Sequence, residues 1–148
     1  MVLAFCQRLA GDTAGAKVTA EQARKTLERL YRDQPDSALY AISLSAVYAA
    51  KGEKDLALEA AERALVLDPV AKDPVSGPTG DENLAVIQTI FGENSRAIAA
   101  LTQLLQTPYY SLHYGPAPIT PALLRLDPIW DPLRADPAFQ KLCEEKKP

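Results

Sequence analysis

Cysteine, histidine, methionine and tryptophan are almost missing from this chain, with two, one, one and one among 148 residues. The scarcity excludes several kinds of chemistry. Cys6 and Cys143 stand near opposite ends, without the close pairing of a zinc site or a redox CxxC, and each reads as a small core hydrophobe. A disulfide between them would need the two ends of the chain to meet. The lone His113 has no second histidine and no nucleophile with a positioned base, and the chain has no glycine-rich phosphate loop. No catalytic residue, cofactor or metal is therefore expected, and the chain does not read as an enzyme. Asp127, Asp131 and Asp136 are close in sequence, but each precedes a proline, so helix capping accounts for them without a metal.

Basic charge is also in deficit. The net charge is −3, whereas nucleic acid or an anionic membrane surface calls for clustered Lys and Arg, so neither is expected as a partner. No apolar run approaches the ~18 residues of a membrane span. The opening MVLAFCQRLAG lacks the basic start and small-residue cleavage site of a signal peptide and reads as a helix. At 47% hydrophobic and 24% charged, the chain is too apolar to be disordered and should bury a core.

What is present is helical punctuation. From Ala38 to Pro69 the chain reads as two helices and a turn: apolar and small residues at helical spacing through Leu44, Ser45 and Tyr48, a break at Lys51-Gly52-Glu53, then Ala57, Ala61 and Ala64 leading to Asp68-Pro69. The preceding helix, expected over 19 to 33 with Thr19 as N-cap, superposes on the second of these. Ala23, Leu27, Leu30 and Pro35 match Ala57, Ala61, Ala64 and Pro69 at a constant offset of 34. Alanines at such positions let helices approach closely, and the prolines end each hairpin. Residues 1 to 10 match the end of a first helix, Leu3, Ala4 and Gln7 preceding Gly11 as Leu44, Ser45 and Tyr48 precede Gly52. The expectation from this parallel is a chain that starts inside a repeat, as the tail of a larger protein would. A loop lengthened by DTAGAKV is expected after Gly11.

A weaker copy follows an insert, VAKDPVSGP. Its first helix is expected over 76 to 91, its turn at Gly92-Glu93-Asn94 and its second helix over 95 to 106, with Gly92 and Ala97 offset by 40 from Gly52 and Ala57. Periodicity stops at TPYYSLHYGPAP. This extended segment reads as tyrosines stapling a Pro-rich connection, or alternatively as a contact patch of Tyr109, Tyr110, His113, Tyr114 and Trp130. Then Thr120-Pro121, Asp127-Pro128, Asp131-Pro132 and Asp136-Pro137 announce capped, Pro-initiated helices over about 120 to 126, 128 to 134 and 136 to 145. Leu123, Leu124, Leu126, Ile129, Trp130, Leu133, Phe139 and Leu142 would seal the end of the stack.

The helical hairpins resemble tetratricopeptide (TPR) repeats, which are about 34 residues long. Together with the KDPVSGP insert and the run LLRLDPIWDPLRADPAFQKL, they resemble the C-terminal TPR regions of bacterial multidomain signalling proteins of the eukaryotic-like Ser/Thr kinase, nucleotide cyclase or winged-helix regulator type. The resemblance implies an all-α TPR-like solenoid forming a single domain over 1 to 148. It comprises a partial, loop-extended repeat over 1–35, a full repeat over 38–69, a degenerate repeat over 76–108, and the aromatic segment with its cap over 109–148. It also implies a protein-interaction scaffold whose first helices line a concave groove for an apolar peptide or partner helix. The groove residues would be Leu39, Ile42, Ala46, Ala49 and Ala50 in one copy and Thr79, Glu82, Val86, Thr89 and Ile90 in the next. They lack the Lys, Asn and Arg of TPR domains that clamp a terminal carboxylate. A C-terminal block folded back over some of them, or a homodimer through the truncated N-terminal helix, are the other arrangements the residues allow.

Overall fold

Three glycines set the hairpins. Gly11, Gly52 and Gly92 adopt φ of 82°, 83° and 76°, the left-handed region where a Cβ is costly, and each ends a helix. The hydrogen bonds repeat: Gly11 N–H donates to the Arg8 carbonyl and Asp12 N–H to Gln7, Gly52 to Ala49 and Glu53 to Tyr48, Gly92 to Thr89 and Glu93 to Gln88. This is the Schellman pattern, which satisfies the orphan carbonyls of each first helix and reverses the chain into the second.

The computed structural model describes residues 2–144, and all the named elements within them are helices. They are α1 (Val2–Leu9), α2 (Thr13–Asp33), α3 (Ala38–Lys51), α4 (Lys54–Leu67), α5 (Pro78–Ile90), α6 (Asn94–Leu104), α7 (Pro121–Leu126), the 3-10 helix η1 (Pro128–Leu133) and α8 (Pro137–Leu142). They group into two compact units, Met1–Pro69 and Val70–Pro148.

In the first unit α3 packs against α2 on one side and α4 on the other, and α1 touches α2 and α3. Ala57, Ala61 and Ala64 of α4 are fully buried, as are Ala16 and Ala20 of α2. Ala4, Ala20, Val47 and Ala50 form a cluster flanked by Ala23 and Leu27. The lengthened loop expected after Gly11 is absent. DTAGAKV instead opens α2, whose N-cap is Asp12 rather than Thr19, its side chain accepting the Gly15 N–H at 2.8 Å. Gly15 leaves room for this rotamer of Asp12: a Cβ there would lie 2.1 Å from Oδ2, and the carboxylate would have to swing aside. The glycine marks the seat of a cap, and the flanking alanines then favour helix.

In the second unit α5 packs against α6 and against η1, and α6 also meets η1 and α8. Trp130, Leu133, Leu124 and Phe139 are buried within it. Thr120, Asp127 and Asp136 each cap a helix through a side-chain oxygen, accepting from Leu123, Ile129 and Ala138 N–H groups. Asp131 does not cap. Pro132 lies inside η1, and Asp131 instead pairs with Arg134 Nε at 2.6 Å. The last helix ends at Leu142, short of the expected 136 to 145: Cys143 and Glu144 form a turn and a bend, and residue 145 lies outside the described residues. Cys6 and Cys143 are both free thiols.

The buried alanine stripe of α4 gives a direct test. Ala61→Leu forces extra methylenes into a fully closed crossing and should destabilise the protein by about 1–3 kcal/mol, read as a lowered urea midpoint, whereas Lys25→Leu on the exposed face of α2 should leave the midpoint in place.

Candidate functional site

The positions expected to line an open groove are mostly interior. Ile42, Ala49 and Ala50 of α3 are buried, as are Glu82, Val86 and Thr89 of α5. Ala46, Thr79 and Ile90 are half-buried and only Leu39 is exposed. The cause is chemical: α3 has no charged residue from Ala38 to Ala50, and a helix without a charged face is covered along most of its length.

On α5 a different cover is at work. The segment after Thr107 crosses the start of this helix: Thr79 Oγ1 donates to the Tyr110 carbonyl at 2.8 Å, Tyr110 N–H donates to the Val75 carbonyl, and Ser111 Oγ donates to Glu82 Oε1 at 2.8 Å. Ser111 Oγ also accepts the N–H groups of His113 and Tyr114. The folded-back arrangement is therefore what the second unit adopts at these positions. Tyr109 is buried beside Glu82, and burial together with that neighbouring carboxylate pushes its hydroxyl pKa well up. Among the described residues no hydrogen bond of ordinary geometry reaches Glu82 Oε2 or the Tyr109 hydroxyl. Tyr114 Oη donates to Asp127 Oδ2 at 2.8 Å and accepts from Trp130 Nε1, so the aromatic segment acts as a staple to the cap, with only Tyr110 of its tyrosines left exposed.

An open groove does exist in the first unit, along other stripes. Glu28, Tyr31 and Arg32 of α2 form one wall and Leu56, Glu59, Ala60 and Arg63 of α4 the other, with Leu44 and Tyr48 of α3 between them, enclosing about 270 Å³. The spacings are those of single helix faces, i, i+3, i+4 and i+7. Tyr48 is fixed by donating its hydroxyl to Glu28 Oε1 at 3.1 Å, and burial followed by this bond raises its pKa. Glu28 also accepts from Arg24, which pairs with Glu21. Lys51 bridges Glu21 and Glu53 at 2.8 Å each. This network lashes α2 to the end of α3 beside the groove.

Sequence spacing assigns Tyr31 to the core and Arg32 to the solvated face of α2. Their shared role shows only once α4 stands opposite. The signal present in the sequence is Leu56, an apolar residue off the Ala57, Ala61 and Ala64 stripe and 46% exposed. Among the described residues no group of three His, Cys, Asp or Glu side chains is placed to hold a metal, and no helix is long and apolar enough to cross a membrane. Comparison with protein-family models, curated proteins and solved structures finds no match to this chain.

Ile42→Arg and Val86→Arg each bury an unpaired charge and should cost more than about 3 kcal/mol, seen as loss of helical circular dichroism on mild heating rather than as selective loss of a partner. Glu21 is held down to about 2 from 4.5, chiefly by the Arg24 hydrogen bond and then by Lys51. Its stabilising contribution is present above pH ~4.5 and is lost as pH falls toward 2. Glu21→Gln should flatten that part of the acid-stability profile, and high salt should shrink the difference because the pair is exposed.

Proposed function

We propose that the protein is a TPR-like helical-repeat interaction module that holds a peptide or partner helix in the groove between α2 and α4. The observation that carries the reading is the groove itself: an apolar floor of Leu44, Leu56, Ala60 and Tyr31 with charged residues on the rim, the usual make-up of a peptide-binding surface. Three hairpins closed by the same glycine turn, and close helix packing through alanines, support the repeat architecture. The resemblance of the Asp-Pro cap supports a place as the interaction tail of a bacterial signalling protein.

The test is selection of peptides from a random display library on the full chain, followed by binding of the synthetic peptides. Leu56→Arg should abolish binding, while Val66→Arg, exposed on α4 outside the groove, should leave it unchanged. Peptides that bind Leu56→Arg as well as the native chain would sink the groove.

A further inference from the structure

The rim of the groove carries information about the charge of what enters it. Arg24 is spoken for, held between Glu21 and Glu28, and Glu28 is in turn occupied by Arg24 and the Tyr48 hydroxyl. Arg32 on the α2 wall and Arg63 on the α4 wall are different, because both are solvent-exposed groove residues and neither has a hydrogen bond or ion pair among the described residues. Glu59 stands one turn before Arg63 on the same wall, a spacing suited to an ion pair, yet it too is unpaired among them. The lining as a whole is neutral, two arginines against Glu28 and Glu59, but Glu28 is already occupied, so among the unpaired rim charges two guanidinium groups on opposite walls stand against one carboxylate.

From these charges we propose that the occupant of the groove is an acidic–apolar segment. An apolar side chain would sit on Leu44, Leu56 and Tyr31, with Asp or Glu on each side reaching Arg32 and Arg63. The guanidinium fork matches a carboxylate in two parallel hydrogen bonds, a geometry lysine does not offer. Glu59 is the opposing free charge on the rim, and it biases the carboxylates toward the Arg32 wall and the far end of the α4 wall. This inference rests on the groove reading and adds the sign and pattern of the partner.

The experiment uses a random dodecapeptide display library on the full chain, with anisotropy of the selected, fluorescently labelled peptides. The expected result is enrichment of Asp and Glu flanking an aliphatic or aromatic residue. Binding should weaken as salt rises from low to high. It should fall about tenfold or more in Arg32→Glu with Arg63→Glu and tighten in Glu59→Gln, with circular dichroism unchanged. Selected peptides that are neutral or basic, yet lost on Leu56→Arg, would keep the groove and overturn the acidic partner. Acidic peptides indifferent to reversal of both arginines would overturn it equally. Selection of no peptide, or of peptides insensitive to Leu56→Arg, removes the groove and the acidic partner together.

Discussion

The first unit depends on one constraint, the absence of charge along α3 from Ala38 to Ala50. A helix without a polar face is stable in water only when covered, and α2 and α4 supply the cover from either side. Close approach follows from the alanines at their crossings, since Ala57, Ala61 and Ala64 present no bulk to hold α4 away. Only Leu44 and Tyr48 of α3 reach the space between the two outer helices in the groove. The open surface of this unit is therefore made by the covering helices, and its chemistry is theirs.

The second unit solves a related problem with polar groups. Helix α5 buries Glu82, Asn83, Gln88 and Thr89, and buried polar atoms are expensive unless bonded. Ser111, brought back across the helix, uses its hydroxyl three ways: donating to Glu82 and accepting two backbone N–H groups. Asp127 divides its carboxylate in the same spirit, one oxygen capping η1 and the other holding Tyr114. The Pro-rich connection is ordered by these few side chains rather than by a ladder of backbone bonds.

The hairpin turns are legible in the sequence because Gly11, Gly52 and Gly92 leave a local signature, a left-handed helix end that few other residues tolerate. The capping dipeptides are legible for a similar reason, with the exception of Asp131, which falls within a 3-10 helix already begun at Pro128. The start of α2 is hidden because Gly15 reads as a loop residue until Asp12 is seen folded over it. Groove positions are hidden for a deeper reason. Assigning an outward face by spacing needs a polar stripe to orient the helix, and α3 has none. On α5, Glu82 and Thr79 are polar enough to suggest a surface, but their partners lie 29 and 31 residues along the chain, beyond any local pattern.

The last three helices have six residues each, well short of the ~12–15 at which an isolated helix becomes marginal in water. None can persist alone. Arg134 joins them, donating to the carbonyls of Arg125 and Asp127 while pairing with Asp131 and leaving its own carbonyl to Gln140. One guanidinium thus spans the end of α7, the start of η1 and, through the backbone, α8. The consequence is cooperativity: the cap has no half-formed states worth populating, and its amides should exchange with solvent as a single foldon.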